Sequence, residues 1–134
     1  MSAQAQYPDD RLYHPDALWL QMLADDEARV GINDFAQTSL GEVMFIDLPR
    51  AGILLRAGTS FGTIESGKVV SDLIAPASGS VLEINQQAHD EPGLVNRDPY
   101  GAGWLLRIRL SAPDEIRNLL DAARYLDHIG RAVT

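Results

Sequence analysis

The apolar residues of this chain come in short runs, each closed by a glycine, a proline or a pair of charges. DALWLQML (16–23) fits two elements: Asp16 is placed to cap a short helix, and Leu18 to Met22 reads equally as a strand. DDEAR (25–29) predicts a turn, after which VGI (30–32) resumes an extended, buried pattern. NDFAQTSLG (33–41) opens on a capping Asn-Asp and closes on glycine, which predicts a short helix. EVMFIDLP (42–49), β-branched and aromatic and stopped by proline, predicts a strand. In RAGILLRAGTSFGTIES (50–66) the glycines at 52, 58 and 62 predict turns between short strands. VVSDLIAP and SGSVLEIN are two more strands, parted by Pro76, Ser78 and Gly79. WLLRIRL (104–110) alternates, with Leu106, Ile108 and Leu110 on one side and Arg107 and Arg109 on the other.

Only the tail keeps a helical period. In SAPDEIRNLLDAARYLDHIG, Pro113 falls in the first turn, with Asp114 and Glu115 where the helix dipole favours negative charge. Ile116, Leu119, Leu120 and Ala123 share a face and Gly130 can end it, so a helix is predicted over 113–130. Many short strands with a C-terminal helix predict a mainly β sandwich or barrel. No linker divides the chain, so one domain is expected over 1–134, with residues 1–15, polar and proline-punctuated, as a loose N-terminal arm.

Composition narrows the classes of function. At 134 residues, with 46% hydrophobic and 22% charged residues, the chain suits one globular core. Cysteine is absent, which excludes a disulfide framework and a thiolate metal site. His14, His89 and His128 lack metal-ligand spacing, and no metal is expected. The opening MSAQAQYPDDRLYHP lacks the basic patch and apolar stretch of a signal peptide, and no run is long enough to span a bilayer. A cytoplasmic protein away from membranes is expected. The net charge of −8 opposes binding to nucleic acid and favours basic partner surfaces.

Against that composition one residue stands out: Lys68 is the chain's single lysine beside ten arginines. Gly62 to Lys68 matches G-x-x-x-x-G-K, but Val69 stands where a phosphate loop needs Ser or Thr, Glu65 puts a carboxylate in the anion cradle, and a strand rather than a helix follows. A nucleotide-binding enzyme is therefore set aside. Flanked by Ser66 and Gly67 between two strands, Lys68 is predicted at an exposed hairpin tip. Exposure suits neither a Schiff base nor any chemistry needing a desolvated amine. It does suit covalent modification, since an enzyme can approach and the attached group can swing.

ESGKVVSDLIAPASG (65–79) resembles the lipoyl-lysine hairpin of the glycine cleavage H-protein and H-like lipoate-binding protein family. GINDFAQTSLGEVMFIDLP (31–49), PGLVNRDPYGAGWLLRIRLS (92–111) and the C-terminal helix resemble further parts of it, so the likeness covers residues 12–130. The resemblance implies a lipoyl-type flattened barrel-sandwich hybrid with short helical segments and a C-terminal α-helix. It implies lipoic acid on Lys68 as an amide, with Glu65 and the adjacent Gly67 read by the lipoylating enzyme. Asn96, Pro99, Tyr100 and Gly101 match the family's N-x-x-P-Y-G segment and are read as structural. The implied protein is a carrier without catalysis of its own, serving a lipoylating enzyme, lipoamide dehydrogenase and the enzymes that load and unload a swinging arm. An unmodified interaction or regulatory module is the alternative outside that class.

Two positions depart from the family. Ala17, Leu18 and Trp19 stand where H-E-W is usual, so leucine replaces an acid beside the expected arm cleft, formed by Leu18, Trp19 and Phe35. Gly67 replaces a more usual valine. An ammonium load loses a counter-ion when that carboxylate becomes apolar. The sequence therefore leans toward an H-like lipoate-binding protein of sulfur oxidation, working with a heterodisulfide-reductase-like complex. The second reading is the aminomethyl carrier of glycine cleavage, with glycine decarboxylase and aminomethyltransferase as partners.

Overall fold

Two antiparallel sheets face each other across the main core in the computed structural model, which describes residues 8, 10–15 and 18–133, with the backbone alone for 128–133. Strands β1 (Leu12–Tyr13), β2 (Leu18–Met22), β3 (Glu27–Ile32), β4 (Val43–Asp47), β5 (Leu54–Leu55), β6 (Ser60–Ser66), β7 (Val70–Ile74), β8 (Gly79–Ile84) and β9 (Leu106–Leu110) divide unequally. The larger sheet runs β1-β2-β3-β9-β8-β5 and the smaller β4-β6-β7. Helices are short: α1 (Asp34–Leu40), α2 (Gln86–Asp90), α3 (Leu94–Arg97) and a longer α4 (Ala122–Val133). The mainly β architecture expected from the sequence is the one observed.

Alternation decides which face of each strand is buried. Leu106, Ile108 and Leu110 of β9 enter the core with Leu20, Ala28 and Val30, while Arg107 and Arg109 stay outside. There Arg107 donates to Glu27 (2.8 Å) and Glu83 (3.1 Å), contacts that hold its guanidinium above its ordinary pKa, Glu83 contributing most. The 16–23 run resolves as strand β2 within the described residues, Asp16 and Ala17 lying outside them. Its helix-strand ambiguity has a physical cause: both faces of β2 are covered. Leu18 and Leu20 point into the main core, and Trp19 points the other way into a second cluster with Tyr13 and Tyr125. A strand buried on both sides shows no alternation.

Several expectations need correction. The 25–29 turn is displaced to Leu23–Asp26, because Glu27 and Arg29 are outward positions of β3 whose inward neighbours are Ala28 and Val30. Gly52 and Gly58 do sit at positive φ, but Gly62 lies inside β6. A Cβ there would stand 2.1 Å from the carbonyl oxygen of Asp47, so glycine serves close approach of β4 rather than a turn. Within the predicted N-terminal arm, Leu12 and Tyr13 form β1, Tyr13 pairing with Trp19 and bridging Leu120; residues 1–7 and 9 lie outside the described residues.

The single helix over 113–130 is two elements, a 3₁₀ segment at Pro113–Asn118 and α4. Between them Leu120 turns extended and exchanges backbone hydrogen bonds with Tyr13 (2.7 and 2.8 Å), and the Asp121 carboxylate caps α4 at the Arg124 amide (2.8 Å). Glu115 fixes the 3₁₀ turn by accepting from the Ser78 amide (2.7 Å) and hydroxyl (3.0 Å). Gly130 does not end the helix, which continues to Val133.

Trp19 sits directly opposite Gly31 across the β2–β3 pair, and its indole covers the space a side chain would need. A Cβ on Gly31 would fall 2.6 Å from the ring. Gly31→Ala is therefore expected to destabilise the fold by about 1–3 kcal/mol, the usual range for overpacking, measured by chemical denaturation with tryptophan fluorescence.

Candidate functional site

The β6–β7 connection is three residues long and held from within. Ser66, buried at the end of β6, accepts at Oγ from the amides of Lys68 (3.3 Å) and Val69 (3.2 Å), while its own amide donates to the Val69 carbonyl (2.9 Å). This hydroxyl turn fixes a tip from which Lys68 projects, exposed. Gly67 is open: a Cβ on it would meet nothing within 4 Å. Lys68 lies over the end of α1, its Cε 3.4 Å from where a Gly41 Cβ would stand. Glu65 is half-buried in β6, paired across the sheet with Phe45 on one side and Val70 on the other. No helix follows Lys68, so the glycine-lysine spacing belongs to a hairpin and not to a phosphate loop.

Beside the hairpin, between α1 and β7, runs a cleft of about 380 Å³. Leu18, Ile32 and Ile64 lie at its base, Phe35, Ala36, Ser39 and Leu40 form the α1 wall, and Val69 to Leu73 form the other. Of the three residues expected in the arm cleft, Leu18 and Phe35 meet there and Trp19 does not. Trp19 faces the opposite side of β2, donates its indole N–H to the Pro99 carbonyl (3.0 Å) and lies 4.5 Å below the Arg11 guanidinium. Asp72 of the edge strand β7 borders the cleft through its strand, but the register turns it to the outer face of the small sheet beside Thr63, where its carboxylate accepts from the Ser60 hydroxyl (3.3 Å).

What holds α1 in place comes from the segment read as structural. Asn33 caps the helix at the Ala36 amide (2.9 Å), and the Tyr100 hydroxyl accepts from the Asp34 amide (2.9 Å). Asn96 accepts from the Val43 amide (2.9 Å) and donates to the Gly41 carbonyl (2.8 Å) and the Gln37 side chain (3.1 Å). Among the described residues, no group of three histidine, aspartate or glutamate side chains is placed to hold a metal ion, and no helix is long and apolar enough to cross a membrane. Chemically, the site offers one accessible primary amine at a fixed tip and, next to it, a largely apolar trough.

The family model described as "Glycine cleavage H-protein" matches residues 11–131. Among curated proteins, the chain is 47% identical to the glycine cleavage system H protein of Chlorobium limicola over 124 residues, covering 92% of this chain and 97% of that one. It is 49% identical to the glycine cleavage system H protein of Mycobacterium avium over 122 residues, 88% of this chain and 92% of that one. Among solved structures, the crystal structure of a glycine cleavage system H protein from Mycobacterium marinum superposes with a TM-score of 0.86 at 42% identity, covering 92% of this chain and 98% of that one.

The lean toward sulfur oxidation, which rested on leucine at position 18, finds no support in these relatives. Leu18 is only 2% exposed and belongs to the main core. Leu18→Glu is accordingly expected to destabilise the fold by about 3 kcal/mol at pH 7, because burial raises the carboxyl pKa in the folded state. The penalty should grow as pH rises from about 4.3, the unfolded glutamate value, and shrink below it. Urea melts at pH 4 and pH 7 measure this difference.

Proposed function

The chain belongs to the glycine cleavage H-protein family, and on that premise we propose that it carries lipoic acid as an amide on Lys68 and serves as the aminomethyl carrier of glycine cleavage. It is a lipoyl carrier with no catalysis of its own. The observation that carries the site assignment is the pairing of a lone exposed lysine, on a tip fixed by Ser66, with an apolar cleft that opens beside it. When bound, the lipoyl group supplies reversible disulfide–dithiol chemistry at the end of a long arm. The protein's own residues then attach, shelter and release.

Lys68 Nζ is the point of attachment. Phe35, Ala36, Leu40 and Val69 offer apolar walls that keep water from a stored load. Ser39 adds a hydroxyl to the same trough. The partners in this reading are glycine decarboxylase, aminomethyltransferase, lipoamide dehydrogenase and a lipoylating enzyme, and the setting is the cytoplasm. The heterodisulfide-reductase-like complex drops out with the sulfur-oxidation lean. No observation favours the unmodified module, since the tip, Glu65 and Lys68 are all intact.

Tryptic mass spectra of protein purified from its own host test the attachment: no cleavage after Lys68 is expected, with that peptide heavier by one lipoyl group. A host protein that is wholly unmodified at Lys68 would sink the carrier assignment. Lys68→Arg should fold within about 0.5 kcal/mol of wild type and lose all carrier activity.

A further inference from the structure

The outer face of the small sheet carries large apolar side chains that the chain itself leaves uncovered. In the strand register Phe45 of β4, Glu65 of β6 and Val70 of β7 form one cross-strand row, the one nearest the Lys68 tip on that face. Phe45 is 65% exposed and Val70 63% exposed, one on each side of Glu65. Met44 and Val69, also exposed, continue the apolar surface around the tip. The next row is polar, Asp47–Thr63–Asp72. Strands β4, β6 and β7 hold no lysine or arginine. The nearest arginines in sequence, Arg50 and Arg56, lie in the connection at the far end of the sheet from the tip. On the large sheet Arg107 and Arg109 pair with Asp26, Glu27 and Glu83, and Arg29 lies over the Trp104 ring (5.0 Å).

We propose that the Phe45–Glu65–Val70 row is the docking surface for the enzyme that acylates Lys68, which meets it with an apolar pocket for Phe45 and a cationic rim for Glu65, Asp47 and Asp72. The proposal rests on the carrier reading and adds residues to it. Apolar side chains flanked by uncompensated carboxylates fit a partner of opposite charge, and the same carboxylates repel a second copy of this face. Among partners, the acylating enzyme alone must bring its reacting centre to Nζ itself. Enzymes acting on the far end of the arm have no such need to press on the hairpin. In the step served, the Lys68 ammonium gives one proton to solvent, the free amine attacks the carbonyl of lipoyl adenylate, and a second proton leaves as the amide forms. The amide C–N bond forms, the acyl–phosphate bond breaks, AMP leaves, and no redox change occurs.

The test is amide formation on the intact protein by a lipoate–protein ligase supplied with lipoyl adenylate, followed by mass. Phe45→Ser should keep the wild-type melting curve, since the side chain lies outside the core, and lower kcat/KM at least about tenfold through KM. Leu54→Ser, at an 81% exposed position on β5 of the other sheet, should leave the rate unchanged. Acylation of the wild type should slow as salt is raised, as expected for charge-assisted docking. Phe45→Ser acylated at the wild-type rate, or an equal loss in Leu54→Ser, overturns the docking surface alone. So does a wild-type dimer in sedimentation that Phe45→Ser splits with acylation unaffected, which would give the face to a second copy. A wild-type chain that takes no lipoyl group at all sinks the carrier reading and this surface together.

Discussion

Asn96 of α3 holds together the junction between α1 and β4, reaching Val43 across 53 residues of chain. Its amide oxygen receives the Val43 N–H at the start of β4, and its amide nitrogen gives to the Gly41 carbonyl and the Gln37 side chain at the end of α1. A helix end leaves carbonyls without partners, and a strand start leaves an amide in the same condition. One side chain satisfies both here, and in doing so fixes the angle at which α1 hands over to β4. The cleft beside Lys68 exists because α1 is held away from β7, and the tip rests over Gly41 because that glycine is held where it is. Tyr100 and Asn33 secure the other end of the same helix. The site's geometry thus depends on Asn96 of the short helix α3, well downstream of the lysine in the chain.

Placement of charge follows a related division. The large sheet mixes signs: Glu27 lies opposite Arg109, and Glu83 opposite Arg107, so its outer face is a network of part-exposed ion pairs. Such pairs add little stability individually but leave little net field. The small sheet has carboxylates and no cation besides the lysine at its tip. Amide formation at Lys68 removes that last positive charge, so the modified protein presents a more uniformly negative hairpin than the unmodified one. An enzyme that binds before modification and one that binds after it therefore meet different fields on the same surface.

Much of this was legible in the residues, and the failures share a cause. Strands with one wet face, such as β9, announced themselves by alternation, and the hairpin tip by its Ser-Gly-Lys. The contacts that escaped reading join distant segments. Trp19 looked like a cleft residue by its neighbour Leu18, yet adjacent strand residues face opposite ways, and the second cluster that takes it is completed by Tyr125 of α4. The tail kept its helical period across Leu119 and Leu120, but the backbone there pairs with Tyr13, a tertiary demand that no local pattern reports.

A carrier of this kind faces a conflict that the small sheet resolves in its side chains. It must let go of every enzyme it visits, so it needs a surface that binds briefly, and brief binding still requires some apolar contact to exclude water. Exposed phenylalanine and valine on a three-stranded sheet with free edges are also the features that make strands pair with copies of themselves. Placing Glu65 between Phe45 and Val70, with Asp47 and Asp72 in the next row, keeps the apolar contacts but makes each copy repel the next. The bulge between Val43 and Phe45 further breaks the regular edge of β4. Replacing those acids by neutral residues would strengthen an apolar contact and remove the discrimination. The negative charge of the hairpin is thus a condition for keeping its hydrophobic residues exposed.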